Sequence, residues 1–202
     1  MAYLLAVVLL GAIVFFLYKV IVAPAEEVID VKKSADAKLP EGARPVVTFP
    51  STSSQVFTND ASRLIENEPG AGHGGAATST SLKYAIKSGG WVIVHTPLGG
   101  ADWKGQRKLH VLARGAKAPT AIRVVAQTDA GEFFAWHDNA FASADWALLS
   151  IPFSLLVDGA GKAYANQPVK GLNLEIHPDR KLALRGEEER HLLIGGVWLS
   201  AA

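Results

Sequence analysis

Two hydrophobic patterns divide the chain. Residues 3–23 are apolar almost without interruption, and Lys19 is the only charged residue among them. Because a helix rises about 1.5 Å per residue, a run of about twenty residues spans roughly 30 Å, the thickness of a bilayer's hydrocarbon core. We therefore predict one transmembrane α-helix over residues 1–23. Ala23-Pro24-Ala25 resembles the cleavage site of a secretory signal, but the run is long for such a signal and no Lys or Arg precedes it.

A polar stretch, residues 24–44, follows the apolar run. Pro24 ends the predicted helix, because proline cannot continue the helical hydrogen-bond ladder. The stretch carries charges of both signs, few large apolar residues, and Pro40 and Gly42 near its end. This composition is typical of a linker, which we expect to hold the next domain a few tens of Å from the bilayer.

From residue 45 to residue 202 the pattern becomes an alternation of period two. Within residues 108–114, for example, Leu109, Val111 and Ala113 would share one face of a strand. Similar runs recur, with turn residues such as Asp129-Ala130-Gly131 between them. The predicted strands are 46–49, 78–86, 91–95, 108–114, 122–127, 132–136, 146–151, 172–176 and 191–199. Many short strands at near-regular spacing predict an all-β, antiparallel sandwich.

Composition narrows the classes of function. The formal net charge is +1, whereas a nucleic-acid binder usually shows a basic stripe, so we predict no nucleic-acid partner. Cysteine is absent, which excludes disulfides, thiolate metal sites and a cysteine nucleophile. The six histidines are scattered and lack metal-ligand spacing, and we interpret Asp129, Glu132, Asp138 and Asp145 as turn residues and not as a catalytic pair. We therefore expect no catalytic residue, no metal and no cofactor, and the protein is not predicted to be an enzyme.

One glycine-rich segment matches a nucleotide-binding pattern literally. Gly70-Ala71-Gly72-His73-Gly74-Gly75 has the G-x-G-x-x-G spacing, which binds dinucleotides only between a strand and a helix. Here Pro69 precedes the segment and a Thr/Ser-rich strand follows it. We interpret the segment as a loop without a nucleotide.

Several short motifs follow residue 72, and their order indicates a protein family more specifically than any single motif does. In chain order they are His73-Gly74-Gly75, Gly89-Gly90-Trp91-Val92, Pro97-Leu98, Asp102-Trp103-Lys104-Gly105, Trp146 with Ile151-Pro152-Phe153, the segment 171–176 and the last strand 192–199. This order resembles the galactose-binding-like jelly rolls. Among these it resembles in particular the carbohydrate-binding modules attached to cellulases and the complex I intermediate-associated protein family. The resemblance implies a jelly-roll domain over residues 45–202.

The same resemblance implies a structural calcium, which the chain does not fit. Related domains often place acidic residues after the first strand and in the last strand. Here Pro50 follows Phe49, and the last strand reads Ile194-Gly195-Gly196-Val197. Because calcium takes six to eight oxygen ligands, we expect no calcium site of that kind.

Aromatic side chains are the best candidates for contact with a ligand, because sugar rings stack on exposed aromatic faces. Trp103, Trp136 and Tyr164 lie near predicted loops or strand ends, and we predict them as ligand-binding residues. The alternative for each is burial in the core, which is usual for large aromatic side chains. The other three tryptophans fall among apolar neighbours, which indicates core packing.

The resemblance implies two functions. The first is a non-catalytic, single-pass accessory subunit whose sandwich docks on and stabilises a larger membrane complex, either respiratory or photosynthetic. Its partners would be integral membrane proteins and the lipid bilayer. Gly11 would let a neighbouring helix approach, and Phe15 and Phe16 would contact it. The alternative is a membrane-tethered carbohydrate-binding module of the cell envelope, with a glycan as its partner.

Two arguments about topology disagree. No Lys or Arg precedes the predicted helix, whereas four lysines lie near its C-terminal end or after it: Lys19, Lys32, Lys33 and Lys38. The positive-inside rule therefore favours a cytoplasmic domain. The resemblance implies a domain outside the cytoplasm. We predict a single pass through the cell (inner) membrane, with the domain on the extracytoplasmic side against the charge count.

Overall fold

The computed structural model of the chain describes residues 27–33, 37–74, 76–116, 120–138, 145–178, 184 and 186–201. These residues form twelve β-strands and one three-residue 3-10 helix, Phe153–Leu155. The strands are β1 (Asp30–Lys33), β2 (Arg44–Thr48), β3 (Gln55–Thr58), β4 (Ser62–Ala71), β5 (Thr78–Ile86), β6 (Val92–Ala101), β7 (Lys108–Ala116), β8 (Thr120–Thr128), β9 (Gly131–His137), β10 (Ala147–Pro152), β11 (Val169–Pro178) and β12 (Glu188–Ser200).

The predicted transmembrane helix cannot be compared with the structure, because residues 1–23, and with them Gly11, Phe15 and Phe16, lie outside the described residues. Within the described ranges, no helix has the length and apolar character needed to cross a membrane.

The strands form two antiparallel sheets. Sheet A has the order β1-β10-β7-β12-β5-β4, and β2 pairs with the second half of β12 beside β5. Sheet B has the order β3-β6-β11-β8-β9. Strands that are neighbours in a sheet are mostly distant in the sequence, as in a jelly roll. The all-β antiparallel sandwich predicted from the alternation is therefore confirmed.

Alternation decides which side chains enter the core between the sheets. Leu109 and Val111 of β7, and Leu172 and Leu174 of β11, are at most 1% exposed and belong to one continuous apolar cluster. The side chains between them along each strand point to the outer faces. On sheet A this outer face is partly covered by a second apolar cluster, formed by Ala37, Ala76, Leu112, Trp146, Leu148, Leu193 and Trp198.

The sandwich begins before residue 45, which corrects the predicted linker over residues 24–44. β1 pairs with β10, and Ala37 is fully buried. Ser154 donates a hydrogen bond to Glu27, so contact with the domain begins at the first described residue. A four-residue strand with three charged residues does not stand out in the sequence, because one inward apolar side chain gives no periodicity.

Gly196 lies where β12 changes its pairing partner, at a position that requires glycine. β12 pairs with β5 up to Ile194 and with β2 from Gly196 onward, with a register shift between these positions. Gly196 has a φ of 152°, and a Cβ there would lie 2.5 Å from the carbonyl oxygen of Val47. The backbones of β12 and β2 are therefore too close for any side chain at this position.

Candidate functional site

The outer face of sheet B carries a set of aromatic and polar side chains in two rows. Residues directly opposite each other in an antiparallel pair share a face, so the strand registers show which side chains lie together. The first row crosses all five strands and contains Phe57, Ile93, Glu175, Arg123 and Trp136. The second row contains Gln55, His95, Asn173, Val125 and Phe134. We call these two rows the polar–aromatic face.

An aromatic side chain lies at each end of the first row. Phe57 on the edge strand β3 is 45% exposed, and Trp136 on the opposite edge strand β9 is partly exposed. Adjacent strands are about 4.8 Å apart, so four steps separate the two residues by roughly 19 Å. The face is therefore wide enough for a ligand that is several rings long.

An ion pair lies at the centre of the row. Glu175 is 6% exposed and accepts hydrogen bonds of 2.9 and 3.1 Å from Nη1 of Arg123. Nε2 of His177 lies 3.4 Å from the same carboxylate. Burial alone would raise the pKa of Glu175, but the hydrogen bonds from His177 and Arg123, together with their charge, hold that pKa below its ordinary value. Glu175 is thus a carboxylate at neutral pH.

Arg123 also connects the aromatic residues of β9. Its guanidinium carbon lies 4.1 Å from the centre of the Phe134 ring and 5.8 Å from that of Trp136. The Trp136 ring in turn contacts His177, with ring centres 4.8 Å apart. Cation–π and ring contacts of this kind hold the aromatic side chains in one orientation.

A second polar pair lies beside the ion pair. Nδ1 of His95 donates a hydrogen bond of 2.7 Å to Oδ1 of Asn173. When the imidazole ring is neutral, this leaves its Nε2 as an acceptor, while the NH₂ group of Asn173 is a donor. A Cβ at Gly171 would lie 2.9 Å from the His95 ring, so the glycine allows the ring to lie close over β11. The pair offers a donor and an acceptor side by side, as binding of a hydroxyl group requires.

Of the three aromatic residues predicted to contact a ligand, only Trp136 lies on this face. Trp103 and Tyr164 are 1% and 6% exposed, and their ring centres lie 5.8 Å apart in the core. Trp103 also stacks on Phe153 at 5.7 Å. The Tyr164 hydroxyl donates to the carbonyl oxygen of Gln167, and burial raises its pKa to about 12. This packing leaves neither ring an open face for a sugar.

No sequence motif marks the other residues of the face. Phe57 lies on β3, whose sequence Gln-Val-Phe-Thr does not alternate between apolar and polar residues. Arg123, Asn173 and Glu175 lie within strands that were predicted, but their meeting depends on which strands are neighbours. The usable signal is alternation: Phe133 is buried in the core, so Trp136, three residues later, points outward.

Other sites considered from the sequence are not formed in the described ranges. There, no group of three or more His, Asp or Glu side chains is arranged to hold a metal ion. Gly70 and Ala71 are the last two residues of β4, and they pair with β5. The element that follows this segment along the chain is β5, a strand and not a helix. The strand-to-helix geometry of a dinucleotide site is therefore not present at this segment.

Several solved structures share the fold. The family 11 carbohydrate-binding module of the cellulosomal cellulase Lic26A-Cel5E of Clostridium thermocellum matches with a TM-score of 0.60, covering 80% of this chain and 95% of the module at 11% identity. A family 11 module from Clostridium thermocellum in complex with a β-1,3-1,4-mixed-linked tetrasaccharide also matches with a TM-score of 0.60, covering 79% of this chain and 96% of the module at 11% identity.

An enzyme contains a similar domain. A β-1,2-glucanase from Parabacteroides distasonis matches 79% of this chain with a TM-score of 0.51 and 12% identity, but the match covers only 24% of the glucanase. No family model and no curated protein matches the sequence. At these identities the likeness establishes the fold, which is a β-sandwich of the jelly-roll type found in carbohydrate-binding modules.

Proposed function

We propose that this protein is a membrane-tethered carbohydrate-binding module that holds an extended, neutral oligosaccharide on its polar–aromatic face. The observation that carries the proposal is the cross-strand row from Phe57 to Trp136, with an aromatic ring at each end and polar side chains between them. The fold supports it, because jelly rolls are common among lectin domains. The apolar run over residues 3–23 is the proposed tether.

The ends of the row suit the apolar faces of sugar rings. An aromatic ring supplies a large rigid contact area at a low cost in conformational entropy. A chain of several sugar units lying across the strands would contact Trp136 near one end and Phe57 near the other. The partly exposed side chain of Ile93 adds apolar surface between them.

The centre of the row suits the hydroxyl groups of the same ligand. Glu175, Asn173 and His95 are already held by hydrogen bonds within the face. Side chains that are fixed before binding lose less entropy when the ligand arrives. A carboxylate can accept about four hydrogen bonds, so Glu175 keeps acceptor capacity beyond its bonds to Arg123.

Charge favours a neutral ligand over an acidic one. Arg123 is paired with Glu175 and lies 3.7 Å from the carboxylate of Glu132 on the same face. Its positive charge is thus balanced by two carboxylates. A uronic acid or sulfated sugar would therefore meet no unbalanced positive charge on Arg123, and desolvating its own charge there would be unfavourable.

A glycan array tests the proposal. The full chain in detergent micelles is screened against neutral β-glucan oligosaccharides, including the mixed-linked tetrasaccharide seen with the family 11 module, and against acidic oligosaccharides of equal length. We expect binding to neutral members. Phe57→Ala should weaken it about fivefold, which corresponds to about 1 kcal/mol.

Leu64→Ala is the matched control, because Leu64 is exposed on β4 of the other sheet. This variant should bind as the wild type does. Failure to bind any glycan, a preference for acidic members, or binding that Phe57→Ala leaves unchanged would contradict the proposal.

Docking on a membrane complex stays a second prediction, and one surface favours it. β4 lies at the end of sheet A and exposes Leu64 and Ile65 at 36% and 37%. Exposed edge strands with aliphatic side chains are suited to contact with another protein. Gentle solubilisation of the native membrane followed by a native gel tests this function. Migration with membrane proteins, weakened by Gly11→Leu, would support it, and migration as a monomer would contradict it.

A further inference from the structure

A basic cleft lies on the outer face of sheet A, next to the first described residues. Its volume is about 260 Å³, and it lies between β1, β7, β10 and the segment before β2. Lys32, Lys38 and Lys108 line it together with His110 and Ser150. We call it the lysine cleft.

Carboxylates of the described residues balance the positive charge of the lysine cleft only in part. Three lysines line the cleft with one carboxylate, that of Asp30. None of the three lysines forms an ion pair with any described residue. Two lysines elsewhere differ, because Lys83 is paired with Glu66 and Lys170 with Asp129.

His110 adds a neutral, hydrogen-bonded surface to the cleft. The residue is 2% exposed, and its Nδ1 and Nε2 lie 2.9 Å from Oγ of Ser150 and 2.8 Å from Oγ of Ser200. Burial, and then the charges of Lys108 and Lys32, lower its pKa to about 4. Lys32 on β1 and Lys108 on β7 therefore lie on two different strands around the same cleft.

The position of the cleft in the chain relates it to the predicted membrane helix. Glu27 accepts a hydrogen bond from Ser154, and it follows Ala23, at the end of the apolar run, by only four residues. Four residues reach at most roughly 14 Å. Val28 lines the cleft and is 67% exposed, an apolar side chain beside the basic ones. A bilayer at residue 23 would bring its headgroups within reach of the cleft.

We propose that the lysine cleft binds the phosphate of an anionic phospholipid headgroup and holds the sandwich against the bilayer. The proposal rests on the predicted transmembrane helix and is independent of glycan binding. Lysines near an anionic surface are attracted to it within a Debye length of about 8 Å. Since the outer faces of the two sheets point in opposite directions, this contact would turn the polar–aromatic face away from the membrane.

Lysine acetylation of the full chain in nanodiscs tests the proposal. Discs of phosphatidylcholine are compared with discs that also contain phosphatidylglycerol. We expect Lys32, Lys38 and Lys108 to react about fivefold more slowly in the anionic discs, which corresponds to about 1 kcal/mol per lysine. The exposed Lys87 and Lys162 should react equally in both. Inorganic phosphate added to neutral discs should not reproduce the protection.

Two triple variants with the same net charge distinguish binding at the lysine cleft from a general attraction of the protein to the anionic bilayer. Hydrogen exchange of the β1 backbone amides should slow in anionic discs for the wild type and for Lys87→Gln/Lys162→Gln/Lys170→Gln. It should not slow for Lys32→Gln/Lys38→Gln/Lys108→Gln. Equal behaviour of the two triple variants would overturn the proposal. So would protection by inorganic phosphate alone, which indicates a free-phosphate site, or failure of the chain to incorporate into discs.

Discussion

Arg123 lies directly opposite Trp136 on β8 and β9, with its guanidinium carbon 5.8 Å from the centre of the indole ring. The same guanidinium lies over Phe134 and donates two hydrogen bonds to Glu175. One side chain therefore connects the aromatic edge of sheet B to the carboxylate at its centre. A change at Arg123 is expected to affect both.

Replacing Arg123 by lysine should destabilise the fold although the charge is kept. Lysine lacks the planar guanidinium that lies over Phe134 while it donates to Glu175, which is nearly buried. The Arg123 side chain is 20% exposed, so solvent weakens the pair, and we expect a loss of about 1–2 kcal/mol. Urea denaturation of Arg123→Lys against the wild type measures this loss.

A double-mutant cycle with Glu175→Gln provides the control for that measurement. If the two residues interact as described, the double variant should lose less stability than the sum of the single losses. Strict additivity would show that Arg123 acts through the aromatic residues alone.

Acid should destabilise the protein through His110. The pKa of this residue falls from an ordinary 6.5 to about 4 in the folded state, chiefly because it is buried. The unfolded chain therefore binds a proton below pH 6.5, whereas the folded chain does not until about pH 4. The contribution of neutral His110 to the free energy of unfolding is therefore complete above pH 6.5. It is lost as the pH falls to about 4, and the loss amounts to about 3 kcal/mol.

His110→Gln isolates this contribution. Glutamine can hydrogen-bond to Ser150 and Ser200 without titrating, so the free energy of unfolding of the variant should fall less between pH 6.5 and pH 4. Some pH dependence should persist, because burial also lowers the pKa values of His137 and His191. Identical pH profiles for variant and wild type would show that His110 does not titrate in this way.

Truncation of Trp103 should cost much more stability than truncation of Trp136. Trp103→Ala removes a fully buried ring that packs on Phe153 and Tyr164, which should cost about 3–5 kcal/mol. Trp136→Ala removes a partly exposed ring and should cost about 1 kcal/mol. Denaturant midpoints of the two variants compare these costs. If Trp103→Ala does not fold, Trp103→Phe serves in its place and should bind glycan like the wild type.

Alternation along the chain was sufficient to predict the fold class, because central strands bury one face and repeat with period two. It failed for β1, β3 and β4, three strands at the ends of the sheets. β4 reads SRLIENEPGA, with polar residues on both faces, because an edge strand has little core to face. β1 and β3 have four residues each, too few to show a period.

The candidate site was harder to predict than the fold. Polar neighbours place Trp103 in a loop, and the loop folds back into the core, where the ring is buried. The face itself depends on strand order: Glu175 on β11 and Arg123 on β8 are distant in the sequence and become neighbours only when the sheet forms. Local patterns carry no information about such pairs.

The binding of a neutral oligosaccharide through Trp136 is the central claim, and one titration tests it most directly. Isothermal titration of the full chain with the mixed-linked β-glucan tetrasaccharide is compared for the wild type and Trp136→Ala. Leu64→Ala serves as the control. We predict saturable binding that Trp136→Ala weakens about thirtyfold, which corresponds to about 2 kcal/mol, while Leu64→Ala leaves it unchanged. Absence of binding, or equal affinity of the wild type and Trp136→Ala, would contradict the account.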